Sequence, residues 1–300
     1  MGNTVVLSAR MRALTDMVTP GNRVCDVGCD HGFVSIYLVR QGISPRVLAM
    51  DVGQGPLSRA QEHIGQQGLE DYIETRLSDG VSALEIGEAD TVICAGMGGR
   101  LMRRIMEEGR EKLEAMEELI LQPQSEIPAL RAYLRRAGYR TLAENMVYED
   151  GKYYPMMKVA AGKEQPGDRR AKERQIMGPE TDSGRQLCPG ESARCGASDG
   201  ENAGDMTLQD YFGGLLLAER HPVLRQYLLD EQRNNRLILE RLRTDAAESS
   251  RTRQRILELE ERQRLVRLAL EQFGRAGGGE IAHAGGMRNS KQHGPCMRGE

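Results

Sequence analysis

Val24-Cys25-Asp26-Val27-Gly28-Cys29-Asp30-His31-Gly32 carries a strand-like apolar run into a turn built from glycines and acids. A helix-like segment, Phe33 to Gln41, follows directly. A strand that feeds a glycine-containing turn and then a helix is the opening unit of an open α/β sheet, which presents backbone and a helix N-terminus to a ligand. Working outward, strand-like runs alternate with helix-like ones. Arg46 to Asp51 precedes Pro56 to Gln66, Ile73 to Leu77 stands next, Asp90 to Ala95 precedes Arg100 to Glu108, and Glu118 to Gln122 precedes Ile127 to Ala137. This alternation predicts a Rossmann-like α/β fold, a parallel sheet with helices on both faces. The series closes with Arg140 to Tyr148, a Glu149-Asp150-Gly151-Lys152 turn and Tyr153 to Ala160, read as an antiparallel hairpin. Upstream, Ser8 is placed to cap a short helix with Met11, Leu14 and Val18 on one face, stopped by Pro20-Gly21.

The rest of the chain is organised differently. Residues 1–160 form the predicted catalytic unit, and residues 161–206, rich in Gly, Pro, Ser and charge, read as a disordered linker. In 207–273, Leu224, Leu228, Asn235, Ile238 and Leu242 recur at helical spacing, as do Ile256, Leu259, Gln263, Val266 and Leu270. They predict an antiparallel, coiled-coil-like helical hairpin folded about residue 249, with Asn235 and Gln263 sharing a polar layer. The Gly-rich segment 274–300 reads as a disordered tail.

Composition narrows the function. With 41 basic and 44 acidic residues in 300, the net charge of -3 supplies no global attraction to nucleic acid or anionic lipid, so any such affinity is local. No apolar run reaches the roughly 18 residues of a spanning helix, and the first residues lack a basic flank with an apolar core, which predicts a cytoplasmic protein away from membranes. Six scattered cysteines fit reduced thiols rather than a disulfide framework. Cys25, Cys29 and His31 invite zinc, but no second ligand pair follows at suitable spacing, so no metal is expected.

Four successive strand ends carry the chemistry. In the first, Asp26, Gly28, Asp30 and Gly32 resemble a nucleotide loop, but Asp30 stands where a dinucleotide fingerprint needs its second glycine and would repel a pyrophosphate. The same acids suit a cationic sulfonium and an amino group, which points to S-adenosylmethionine. Asp51, with Val52 beside it, is placed to accept ribose hydroxyls, and Asp79-Gly80 to accept an adenine amine. Ala95-Gly96-Met97-Gly98-Gly99 forms the lip where a methyl acceptor would meet the cofactor. Each of these has a plainer reading as a helix cap or a tight turn. Arg10, Arg12, Arg100, Arg103 and Arg104 fit either a basic rim for phosphates or a solvated face.

Taken together, Asp26-Val-Gly-Cys-Asp-His-Gly, Ala95-Gly-Met-Gly-Gly, Leu119-Ile-Leu-Gln-Pro, Glu149-Asp-Gly-Lys-Tyr-Tyr and Leu7-Ser-Ala-Arg resemble the TrmK family of bacterial tRNA adenine-22 N1-methyltransferases. The resemblance covers residues 7–160 well and the Tyr211-Phe-Gly to Arg220-His-Pro stretch more loosely. It departs at Gln124, where Asn is expected, in the long linker and in the Gly-rich tail. It implies methyl transfer from S-adenosylmethionine to adenine N1 of tRNA, with tRNA as partner. Asp30 is then the candidate to offset the positive charge of the product ring, and His31 to contact the base or move the N6 proton. Arg10, Gly98, Gly99, Gln122 and Pro123 become candidates for substrate contact. A methyltransferase acting on a small molecule or protein, and a non-enzymatic cofactor-binding adaptor, are the alternative readings.

Overall fold

The computed structural model describes residues 6–162, 206–244 and 249–274. The linker from 163, the tail from 275 and Cys188, Cys195 and Cys296 lie outside the described residues.

The strand β1 (Val24–Val27) is buried along its whole length because it lies inside the sheet, paired in parallel with β2 (Val47–Asp51) on one side and β4 (Thr91–Gly98) on the other. With β3 (Ile73–Leu77), β5 (Glu118–Ser125), β6 (Tyr139–Glu149) and β7 (Lys152–Ala161) the sheet has the order β3-β2-β1-β4-β5-β7-β6. The five strands β1–β5 are parallel, and β7 is antiparallel to both β5 and β6. Connections run outward from β1 toward β3, then return to β4 on its other side. The winding therefore reverses between β1 and β4, which opens a crevice beyond their carboxyl ends.

Both faces of the sheet are covered, so its strands alternate between two cores rather than between core and water. On one side α1 (Ala9–Thr15), α2 (Phe33–Arg40) and α3 (Gln54–Gln66) pack Leu14, Ile36, Leu38, Ala60 and Ile64 against Val24, Val47 and Ile120. On the other, α4 (Gly99–Glu108), α5 (Arg110–Glu114) and α6 (Ile127–Arg136) pack Met102, Ile105, Leu113 and Leu130 against Cys25, Val27, Val92 and Leu119. Cys25 and Cys29 lie in these two different clusters. As expected, Ser8 caps α1, its hydroxyl accepting from the Met11 N–H.

Four further helices follow, α7 (Leu208–Phe212), α8 (Gly214–Ala218), α9 (Pro222–Thr244) and α10 (Ser250–Gly274). Phe212, Leu216, Leu224, Leu228 and Val266 build a third core against Met146 of β6. Polar contacts fix this dock. Glu144 of β6 pairs with Arg131 at 2.9 Å and also accepts the Leu215 N–H at 2.9 Å, while Asp210, held in a capping box by Thr207, pairs with Arg135 at 3.0 Å. The long helices α9 and α10 pair as an antiparallel hairpin, with one correction to the expected face. Ile238 is 40% exposed and Leu239 is buried instead, because the helix presents the next position to its partner. The Asn235–Gln263 layer is also looser than expected: Gln263 Nε2 donates to the Gln232 carbonyl, and buried Asn235 Nδ2 and Gln263 Oε1 have no hydrogen-bond partner.

Candidate functional site

At the crevice, the chain leaving β1 makes three left-handed residues in five positions, Gly28 (φ 76°), Asp30 (φ 47°) and Gly32 (φ 70°). Two hydrogen bonds set this tight path, since the N–H groups of Gly28 and Cys29 both donate to the Met50 carbonyl, at 2.8 and 3.0 Å. Gly32 is needed for packing, as a Cβ there would lie 3.2 Å from Ala60 Cβ of α3. Asp30 occupies a conformation that asparagine and aspartate tolerate better than other side chains. Its N–H donates to Asp51 Oδ2 at 3.2 Å, and Asp51 Oδ1 accepts the Gly53 N–H at 2.8 Å. Asp51 thus ties together the loops after β1 and β2, and each oxygen keeps a second lone pair for a ligand hydroxyl.

Asp26 lies beneath this loop and accepts the Ser35 hydroxyl at 2.7 Å. Burial pushes its carboxyl up to about 6, opposed by the Ser35 hydrogen bond and reinforced by the nearby Asp51 charge. The Asp30 carboxylate points outward, with Oδ1 3.1 Å from Arg59 and Oδ2 3.6 Å from His31 Nε2. His31 Nδ1 is buried without a partner, and its ring clusters with those of Phe33 and His63, each in contact with the other two. Asp79 is similarly engaged, its Oδ1 2.9 Å from Arg104, and Gly80 is pressed against Ile105. Between these acids the apolar side chains of Val52 and Leu77 stand 69% and 52% exposed at neighbouring strand ends.

The lip expected as a loop is the bulged end of β4, which stays paired with β5 as far as Gly98↔Ser125. Met97 turns toward the first loop, where its Cε fills the space of a Gly28 side chain. Gly96 (φ 78°) is exposed and faces the Gln124 amide. Gly98 and Gly99 have a packing reason instead: Cβ atoms there would lie 2.9 Å from Ser125 Oγ and 2.7 Å from the Ser125 carbonyl. Ala95 is half-buried beside them. Buried Gln122, whose Nε2 donates to the Pro123 carbonyl, accepts Arg10 Nη1 at 2.9 Å. Arg10 also lies over the Tyr154 ring, so α1 is fastened to the end of β5. Of the other expected rim arginines, Arg100, Arg103 and Arg104 pair with Glu126, Glu107 and Asp79, and Arg12 is exposed.

This donor set fits S-adenosylmethionine. Four carboxylates border one crevice, which disfavours phosphate and favours a sulfonium and an ammonium, while exposed Val52 and Leu77 offer apolar surface to a flat purine. Sequence reasoning missed Leu77 and Arg59, and offered Arg104 only as a rim cation rather than as the partner of Asp79. Leu77 was detectable as the residue directly before Ser78-Asp79, whereas the arginines are brought in only by tertiary packing of α3 and α4.

Residues 7–157 match the methyltransferase-domain family. The tRNA (adenine(22)-N(1))-methyltransferase of Bacillus subtilis is 33% identical over 160 residues, covering 53% of this chain and 67% of that protein. Among solved structures, the Bacillus subtilis m1A22 tRNA methyltransferase TrmK aligns with a TM-score of 0.67 at 26% identity, over 89% of this chain and 100% of that one. A candidate tRNA (m1A22) methyltransferase of Streptococcus pneumoniae in complex with S-adenosyl-L-methionine aligns at 0.66 with 27% identity, over 88% and 100%.

Proposed function

The chain belongs to the TrmK family of methyltransferases, and on that premise we propose that it transfers a methyl group from S-adenosylmethionine to N1 of adenine at position 22 of tRNA in the cytoplasm. The observation that carries the reading is the crevice at the β1/β4 reversal, where Asp26, Asp51 and Asp79 stand at three successive strand ends beside an open lip at Gly96 and Gln124. Asp51 accepts the ribose hydroxyls, Val52 and Leu77 flank the purine and Asp79 accepts its amine. Asp26 and Asp30 face the amino-acid end, with the Gly28 and Gly32 loop and Ala95 to Met97 closing around it. The cofactor, when bound, supplies an electrophilic methyl group.

Adenine N1 lies on the pairing edge, so the base leaves any pair and enters the lip beside exposed Gly96 and Gln124, whereas Gln122 and Pro123, expected to touch the substrate, are themselves buried. N1 already holds a lone pair, and no side chain has to remove a proton before attack. The chain's task is alignment, which in general supplies roughly 7–11 kcal/mol of barrier reduction. Arg10, oriented by Gln122, frames the substrate side. As the ring becomes cationic, the Asp30 carboxylate opposes its charge, and His31 beside it contacts the base or takes up the N6 proton. Digesting unmodified tRNA to nucleosides after incubation with protein and cofactor tests the reading. N1-methyladenosine is expected, and methyl groups found only in protein or small-molecule acceptors would replace it with the broader methyltransferase reading.

A further inference from the structure

The Glu149-Asp-Gly-Lys-Tyr-Tyr hairpin tip is unused by this mechanism, yet it lies at the same end of the sheet as the lip. β6 is antiparallel to β7, which is antiparallel to β5, so β6 runs in the direction of β5 and ends beside the β5 terminus. We propose that this tip is an RNA-contact site in which the Tyr148 ring is a stacking platform for an unpaired base flanking the target adenine. The proposal rests on tRNA being the substrate.

Tyr148 is 46% exposed, unusual for an aromatic side chain on a sheet face otherwise covered by helices. The ring is held in place from behind. It lies 4.6 Å from the Tyr153 ring, which meets Tyr227 edge-on at 5.2 Å, and the Tyr153 hydroxyl donates to Asp230 Oδ2 at 2.5 Å. A platform fixed by two further rings and a hydrogen bond loses little freedom when a base settles on it. The tip is also fastened to the lip, because Glu149 Oε1 accepts the Arg10 N–H at 3.3 Å and Arg10 in turn holds Gln122. Lys152 at the turn is exposed and adds a cation at the tip. β6 lies three strands from β4, about 14 Å at ordinary strand spacing. That separation is too great for the target base and suits a neighbouring nucleotide.

Stacking requires a π face and no hydroxyl, whereas merely shielding Tyr153 requires only apolar bulk. Tyr148→Phe, Tyr148→Leu and Tyr148→Ala separate these roles, using tRNA with 2-aminopurine placed on either side of position 22. In the absence of cofactor, the wild type and Tyr148→Phe are expected to quench one flanking probe, and Tyr148→Leu and Tyr148→Ala to lose that quenching. The same two variants should raise KM for tRNA on the order of tenfold, the usual scale for losing one stacked base, with cofactor affinity and melting temperature unchanged. Wild-type quenching and KM in Tyr148→Leu would overturn the platform, as would equal damage from Tyr148→Phe. A wild type that methylates DNA-free protein acceptors but no tRNA would overturn the substrate reading itself, a result distinct from a tRNA methyltransferase indifferent to Tyr148.

Discussion

Gly28 and Met97 meet where the loops after β1 and β4 converge: a Cβ on Gly28 would lie 2.3 Å from Met97 Cε. The contact closes one wall of the crevice with two residues 69 positions apart in the sequence. Gly28 also holds φ at 76°, so Gly28→Ala meets both backbone strain and the Met97 methyl. It should lower stability by about 1–2 kcal/mol and weaken cofactor binding as Met97 is displaced. Calorimetric unfolding with cofactor titration checks this, and an unchanged dissociation constant would separate the contact from the cofactor site.

Asp26 makes a pH-dependent prediction. Its folded-state value of about 6 lies above that of an unfolded aspartate, so the native state holds the proton more tightly. This group's contribution to stability is therefore fullest below about pH 4 and declines as pH rises to about 6, by about 3 kcal/mol in total. A cationic ligand favours the ionised form, so cofactor affinity should rise with pH up to about 6, by at most about tenfold per unit. Titration calorimetry from pH 5 to 7.5 should show that slope, and Asp26→Asn should flatten it.

Asp30→Asn isolates charge from shape, because asparagine tolerates the left-handed backbone and the N–H to Asp51 is retained. Turnover should fall on the order of tenfold or more, beyond any loss of cofactor affinity. Single-turnover rates at saturating cofactor measure it, and wild-type turnover would remove Asp30 from the mechanism.

Arg131 and Glu144 form a buried pair beneath the C-terminal helices, with side chains 8% and 2% exposed. Arg131→Met leaves the Glu144 carboxylate buried without its cation and should cost about 3–5 kcal/mol. Adding Glu144→Leu should recover only part of the loss, since the Leu215 N–H then loses its acceptor. Denaturant unfolding of the two variants gives the comparison, and full recovery would mean that the backbone contact contributes nothing.

Asn235→Leu predicts the opposite sign. Its Nδ2 is buried and unpartnered between α9 and α10, so replacing the amide with apolar volume should raise stability by about 1–3 kcal/mol. A drop in melting temperature would show that the polar layer holds the hairpin in register.

How far the sequence could be read depended on range. β3 is found at Ile73–Leu77, where the strand-like segment lies, and Ser8 caps as its position before an amphipathic turn requires, because both are set by local pattern. The end of β4 reads as a loop in sequence, since Ala95 to Gly99 has the composition of one. Pairing with β5 carries the strand through a bulge to Gly98 nonetheless. The five-residue α5 is too short to show a period, and Leu239 replaces Ile238 at the helix contact because a heptad count does not follow the turn of a real helix pair. At the site, the acids were legible as residue types at strand ends. Their cations were not: Arg59 and Arg104 reach Asp30 and Asp79 across 29 and 25 residues, a relation that no spacing rule encodes.

The most direct test of the account is transfer of labelled methyl from S-adenosylmethionine to unmodified tRNA transcripts that differ only in carrying adenine or guanine at position 22. The account predicts label in the adenine transcript alone, recovered as N1-methyladenosine. Equal labelling of both transcripts, or of neither despite measurable cofactor binding, would contradict it.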